Sequence, residues 1–149
     1  MGSFSLNEWL HIGAGGIALC VGLVPLLSAK GGWTHRRSGR AVVALGALVL
    51  ATALYGVLAG TTPTALVAVT LTAGYQYIGS LRALALRDRA PGWPDGLLAC
   101  TAIALAVLLL IRGGPGTASW PPALAYGTLG FVIAIALYDL SRHFWPQLW

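Results

Sequence analysis

The feature that most constrains this chain is a set of long stretches without a charged side chain. Residues 9–29 and 41–81 contain no Asp, Glu, Lys or Arg. A bilayer core about 30 Å thick is spanned by roughly 20 apolar residues of helix, which rises about 1.5 Å per residue. Only 9% of all residues are charged, against roughly 25% in a typical soluble domain. The sequence therefore predicts an integral membrane protein and argues against a disordered chain or a nucleic-acid-binding module.

Turn-forming residues divide these stretches into separate helices. The segment from Gly60 to Pro63 splits the longest stretch, because proline lacks an amide donor and favours a turn or the first helical turn. Asp95 is suited to cap a fourth helix, and a glycine-rich loop at 113–116 precedes the fifth. We therefore predict an all-α, polytopic membrane helical bundle that forms a single transmembrane domain over residues 1–149. Its five predicted spans are 9–29, 41–60, 64–84, 96–112 and 121–140.

The basic residues predict how the spans are oriented. Cytoplasmic loops carry an excess of Lys and Arg, and the loops after the first and third spans carry most of them here. The six tryptophans agree, because all fall near the predicted headgroup depth and none falls in the middle of a span. We predict an outside amino terminus and a cytoplasmic carboxyl terminus. The first basic loop could also bind an anionic lipid headgroup, a phosphate or an acidic partner through Lys30, Arg36, Arg37 and Arg40.

Apart from Arg112 at the very end of the fourth span, two charged residues lie inside predicted spans, where ionisable groups are costly and are therefore candidates for function. Counted from the outer boundary, Arg82 in the third span and Asp139 in the fifth lie at a similar depth of about 26 Å. The two side chains could therefore meet near the cytoplasmic interface. We predict a structural ion pair between them or separate snorkelling to the interface, with a substrate or proton site as the alternative.

Three histidines and two tyrosines are the candidate ligands for a redox cofactor, either b-type haem or a quinone. His11 is predicted near the outer boundary, whereas His35 and His143 are predicted near the inner one, so His11 cannot share an iron with the others. The sequence has no HxxxH motif and no His–carboxylate cluster with ligand spacing, and we predict no metal site. Tyr75 and Tyr77 could bind a quinone carbonyl, although interhelical hydrogen bonding is the commoner use of such residues.

Catalytic motifs are missing from the sequence. It contains no GxSxG, P-loop or HExxH pattern. We therefore predict a non-catalytic protein, an accessory subunit or helix bundle that packs against lipid, a membrane protein partner or a second copy of itself. The alternatives are a redox protein that binds b-type haem or a quinone, and a pathway for a small solute or protons.

Four short segments carry a resemblance to known proteins. They are HIGAGG at 11–16, KGG at 30–32 followed by HRRSGR at 35–40, GSLRAL at 79–84 and YDL at 138–140. Together they resemble a family of prokaryotic multi-span membrane proteins of unknown function, which implies a multi-pass protein of a prokaryotic inner membrane but no particular reaction. Relatives in that family often continue into a sixth helix that opens with a histidine-containing motif, at about the place where this chain ends. The resemblance therefore implies that one ligand is absent for the haem role that a looser likeness to cytochrome-b-like bundles suggests.

Overall fold

The computed structural model of this chain is all-helical over the residues that it describes, which are 5–86, 90–116 and 120–144, without the side chain of His143. No β-strand occurs within these ranges. The prediction of an all-α protein with five helices is confirmed. In chain order the helices are α1 (Leu6–Leu27), α2 (Trp33–Leu58), α3 (Thr64–Leu86), α4 (Trp93–Arg112) and α5 (Pro122–Phe144).

Within the described residues, four of these helices are long and apolar enough to cross a membrane. They are α1, α2, α4 and the part of α5 that ends at Arg142. The helix α3 has a comparable length but is less apolar, because the Tyr75–Gln76–Tyr77 segment and Arg82 lie in its second half.

Several helices begin before the predicted spans do. The helix α1 begins at Leu6, because Ser5 and Glu8 form a capping box in which Glu8 N donates to Ser5 Oγ and Ser5 N donates to Glu8 Oε2. The helix α2 begins at Trp33, so its first turns include residues that were expected in the basic loop. Hydropathy marks only the part of a helix that lies in lipid, whereas charged residues can continue the helix beyond it. The predicted spans are therefore shorter than the helices.

The chain forms two compact units, and the first, residues 1–61, contains α1 and α2. The two helices are antiparallel and are joined by a tight turn in which Gly31 has a φ of 80°, a value that glycine adopts without strain. Half-buried residues recur every three or four positions along α1, from Asn7 to Pro25, and form the stripe that packs on α2. Within the described part of this unit only Ala14 and Thr52 are buried.

The second unit, residues 62–149, contains α3, α4 and α5. The short connections make α4 antiparallel to both neighbours, so the end of α3, the start of α4 and the end of α5 lie at the same end of this unit. Small side chains allow the three helices to approach closely. Among the described residues of this unit, the completely buried positions are Ala68, Ala99, Ala106, Ala125, Leu129, Val132 and Ala136.

The opposite end of the second unit is closed by Trp120, which is buried. An added Cβ atom at Gly113 would stand 3.2 Å from the Trp120 indole nitrogen, so the ring lies against the carboxyl-terminal end of α4. The prediction for the tryptophans concerned only their depth, near the lipid headgroups, and the structure adds that the ring of Trp120 is buried. The ring packs inside the unit because Gly113 leaves room for it.

Candidate functional site

The clearest concentration of polar side chains lies at the end of the second unit where α3 and α5 finish and α4 begins. A cavity of about 160 Å³ opens there among the described residues. Apolar side chains such as Leu86 and Leu98 form part of its wall. The polar residues that line it are Tyr75, Arg82, Asp95, Asp139 and Arg142.

An ion pair between Arg82 and Asp95 forms one wall of this cavity. Arg82 Nε donates to Asp95 Oδ1 at 2.8 Å, and Arg82 Nη2 donates to Asp95 Oδ2 at 2.9 Å. The same Oδ2 accepts from the backbone N–H of Gly92 at 2.8 Å, which holds the carboxylate in the first turn of α4. The side chains are 39% and 18% exposed for Arg82 and Asp95, respectively, so water still reaches the guanidinium.

This pairing differs from the predicted ion pair between Arg82 and Asp139, to which separate snorkelling was the alternative. The helix α4 begins at Trp93, earlier than the predicted 96, and its first turn therefore presents Asp95 to the end of α3. Sequence reasoning assigned Asp95 only a capping role. The available signal for the ion pair was the spacing of the two residues. Arg82 lies shortly before the end of α3 and Asp95 lies in the first turn of α4, so a short connection between antiparallel helices brings them together.

Asp139 instead accepts a hydrogen bond from Tyr75. The Tyr75 hydroxyl donates to Asp139 Oδ2 at 2.6 Å, and the tyrosine is only 5% exposed. A buried phenol needs a partner for its O–H group, and a carboxylate is a strong acceptor. The bond joins α3 to α5 and fixes the direction of the Asp139 carboxylate. Within the described part of the chain, the other oxygen of Asp139 has no hydrogen-bond partner.

Arg142 adds a second guanidinium to the same cavity. It lies three residues after Asp139, on the same face of α5, and it is exposed. Among the described residues the ion pair between Arg82 and Asp95 is the one within 4.0 Å, so Asp139 and Arg142 line the cavity as separate charges.

The two histidines with described side chains lie at opposite ends of the unit formed by α1 and α2. His11 Nδ1 lies 2.9 Å from Thr52 Oγ1, and His35 Nδ1 lies 3.0 Å from the carbonyl oxygen of Pro25. About 14 residues of α1 separate His11 from Pro25, which corresponds to roughly 21 Å of helix. The two imidazoles therefore cannot bind one metal ion or one haem iron within this unit, and the side chain of His143 lies outside the described residues.

The hydrogen bonds define the tautomer of each imidazole. A carbonyl oxygen can only accept, so His35 Nδ1 carries the hydrogen. Thr52 Oγ1 has one hydrogen, and its distances of 3.0 and 2.8 Å to the carbonyl oxygens of Leu48 and Val49 direct that hydrogen to the backbone. His11 Nδ1 is therefore assigned as the donor to Thr52, and in the neutral form of either ring Nε2 would be an acceptor. In the described ranges no group of three or more His, Cys, Asp or Glu side chains is arranged to hold a metal ion.

The predicted quinone pair does not converge on one point. Tyr75 and Tyr77 are two positions apart on α3, so they leave the helix about 200° apart. The Tyr75 hydroxyl is already bonded to Asp139. A single quinone carbonyl could not contact both hydroxyls while α3 keeps this conformation.

The basic residues near the start of α2 lie on a helix and not in a loop, apart from Lys30 in the preceding turn. Arg36, Arg37 and Arg40 are exposed on the first turns of α2. The guanidinium of Arg37 lies 4.5 Å from the centroid of the Trp33 ring, a distance typical of a cation–π contact. An exposed tryptophan beside several cations is the arrangement that suits a membrane–water interface.

Comparison with known proteins identifies no relative: no family model matches the chain, and neither does a curated protein or a solved structure. What the candidate site can bind is therefore argued from the arrangement of its own side chains. Its elements are one ion pair, one buried phenol–carboxylate bond and two opposite charges that do not pair with each other.

Proposed function

We propose that this protein is an integral membrane protein of five spans that acts as a non-catalytic helical subunit, packed against lipid and a membrane partner. The observation that carries the proposal is the exposure of apolar side chains on α1 and α2. Leu26 on α1 is 80% exposed and Leu58 on α2 is 79% exposed. Contiguous apolar surface on this scale is typical of a membrane or protein interface. In lipid these side chains are solvated by hydrocarbon and their exposure carries no penalty.

The hydrogen bonds of α3 support its assignment as a membrane span, although this helix is less apolar than the other four. In hydrocarbon each polar group must be satisfied within the protein. The hydroxyls of Thr70, Thr72 and Ser80 each donate to the carbonyl oxygen four residues earlier, at 2.8, 2.9 and 2.7 Å. The Tyr75 hydroxyl is bonded to Asp139. These polar groups of α3 therefore need no water.

The proposed location is a prokaryotic inner membrane with the amino terminus outside. The excess of basic residues at the start of α2 supports this orientation. In the same orientation these residues meet the anionic inner leaflet, where each cation near the surface contributes about 1 kcal/mol.

Two native cysteines allow a direct test of the membrane location. Cys20 and Cys100 are free and exposed, and they lie within α1 and α4, well away from the helix ends. We expect carbonate-washed membranes to retain the protein, and a charged maleimide to label neither cysteine until detergent is added. An added cysteine at Ala29, in the turn after α1, is the positive control and should be labelled in opened membranes. Release by carbonate, or labelling of both native cysteines before detergent, contradicts the proposal.

The subunit role has a separate test. Solubilised in a mild detergent, the protein should migrate on a native gel in a complex with another membrane protein or with a second copy. A colourless, monodisperse monomer that binds nothing contradicts this role and leaves the membrane location intact.

The cavity favours a second candidate, the binding or passage of a small polar solute. Polar groups within membrane helices are costly and are often functional, and here they are gathered around one opening. Flux of the solute in proteoliposomes should fall when Arg82 or Asp139 is replaced by a neutral residue, and unchanged flux rules this candidate out.

A further inference from the structure

We infer that the cavity formed by α3, α4 and α5 is a binding site for a small zwitterion, a molecule that joins a primary ammonium group to a phosphate or carboxylate. The inference rests on the small-solute candidate and names the chemistry of its ligand. It is independent of the subunit role proposed for the whole protein. Three properties of the cavity support it: its size, the charges that remain available, and the orientation of Asp139.

The size of the cavity suits a small polar molecule. Its volume of about 160 Å³ compares with roughly 30 Å³ for each molecule of liquid water. Sites for drug-sized ligands are larger, about 300–1,000 Å³. The cavity can therefore hold a group of the size of phosphoethanolamine or a small amino acid.

Among the residues that the structure describes, the charges that remain available at the cavity have opposite signs. Asp95 is saturated by Arg82 and by the Gly92 N–H, so this ion pair is electrically neutral. Asp139 and Arg142 line the same cavity and form no ion pair with each other. A free anion meets the repulsion of Asp139, and a free cation meets that of Arg142. A zwitterion satisfies both residues at once.

The orientation of Asp139 prepares it for an ammonium group. Tyr75 occupies Oδ2, which leaves Oδ1 to accept a hydrogen bond from a ligand N–H. Arg142 carries the opposite charge and can bind the oxyanion of the ligand, as guanidinium groups commonly do. Arg82 uses Nε and Nη2 for Asp95, so the hydrogens on its Nη1 are available to the same oxyanion.

Gly79 keeps the cavity open. It lines the cavity on α3, and an added Cβ atom there meets nothing within 4 Å. Because Gly79 shares the cavity-lining face of α3 with Tyr75 and Arg82, we expect the Gly79→Leu variant to place its side chain in the cavity without a backbone clash and without changing any charge.

The test is isothermal titration calorimetry on the full chain in a maltoside detergent, with phosphoethanolamine as the probe. We expect saturable binding that is at least about tenfold tighter than binding of inorganic phosphate, ethanolamine or phosphocholine, since phosphocholine has no N–H to donate. Arg142→Gln and Gly79→Leu should each weaken binding at least about tenfold, whereas Arg112→Gln, at the other end of α4, should not change it. Folding of each variant is checked by circular dichroism.

Several results would overturn the inference. They are equal binding of phosphate alone or ethanolamine alone, undiminished binding by folded Arg142→Gln, and no binding of any probe. A competition arm then identifies the source of the ligand. Nanodiscs that contain phosphatidylethanolamine should block the soluble probe if the natural ligand is a lipid headgroup. Retained binding in those nanodiscs supports a soluble zwitterion. Because binding is measured without a partner protein, its failure is distinguishable from failure of the subunit role.

Discussion

Replacing Tyr75 by Phe tests whether the Tyr75–Asp139 hydrogen bond stabilises the second unit. The change removes one hydroxyl from a side chain that is 5% exposed and keeps the shape of the ring. A hydrogen bond to a charged group contributes about 1.5–3 kcal/mol in soluble proteins. Interhelical bonds in a membrane contribute less, about 0.6 kcal/mol on average and about 1.7 at most, because the unfolded state in lipid also finds partners.

The structure decides between these two ranges. The acceptor is a carboxylate 2.6 Å from the phenol oxygen, so the bond belongs at the upper end of the membrane range. Asp139 is only half-buried, and water can replace part of the lost bond. We therefore expect Tyr75→Phe to lower the free energy of unfolding by about 1–1.5 kcal/mol.

The assay is reversible unfolding by SDS from mixed micelles, followed by circular dichroism. Tyr126→Phe is the matched control, because Tyr126 lies on α5 of the same unit, is 60% exposed, and makes no hydrogen bond through its hydroxyl within the described residues. The control should change the free energy of unfolding by less than about 0.5 kcal/mol. If the two variants unfold at the same SDS fraction, the reasoning about the Tyr75–Asp139 bond is refuted.

Three further predictions concern other parts of the structure. Gly113→Ala should destabilise the protein by about 1–3 kcal/mol in the same assay, because the added Cβ would stand 2.4 Å from the carbonyl oxygen of Leu109. Gly130→Ala is the control and should be neutral or slightly stabilising, because a Cβ atom added there meets nothing within 4 Å. Equal effects of the two variants would contradict the packing described at Gly113. Arg82→Lys removes one of the two hydrogen bonds to Asp95, because an ammonium group lacks the paired donors of a guanidinium. The ion pair is partly exposed, so the free energy of unfolding should fall by no more than about 1 kcal/mol. A loss above about 3 kcal/mol would be typical of a buried ion pair and would contradict this expectation. Protein purified after expression with added haem should show no Soret band, because His11 and His35 lie at opposite ends of one unit and cannot bind the same iron. A stoichiometric Soret band would contradict that expectation.

The number and type of the helices could be predicted from the sequence because charge-free stretches are a strong and local signal. The ends of the helices could not. The start of α2 lies at Trp33, well before the predicted residue 41, because Arg and Lys are good helix formers and do not stop a helix. An apolar stretch marks the part of a helix that suits lipid, and capping and turn geometry fix where the helix ends.

The candidate site could be predicted in part. The depth calculation placed Arg82 and Asp139 at the same level, and both residues line the cavity. Their actual partners, Asp95 and Tyr75, depend on the rotation of each helix about its axis and on the first turn of α4. Depth along a helix is readable from spacing, whereas rotation depends on packing among three helices, which a single sequence does not specify.

The central claim is that the chain crosses the membrane five times, with α3 as one of the spans. The direct measurement is labelling of single cysteines by an impermeant maleimide in sealed spheroplasts, in a background where Cys20 and Cys100 are replaced by alanine. The added cysteines replace Ala29, Thr61 and Ala90, which are exposed and lie in the connections after α1, α2 and α3. We expect Thr61→Cys to be labelled from outside and the other two only after permeabilisation. Labelling of Ala90→Cys from the same side as Thr61→Cys would contradict the claim, because α3 would then fail to cross.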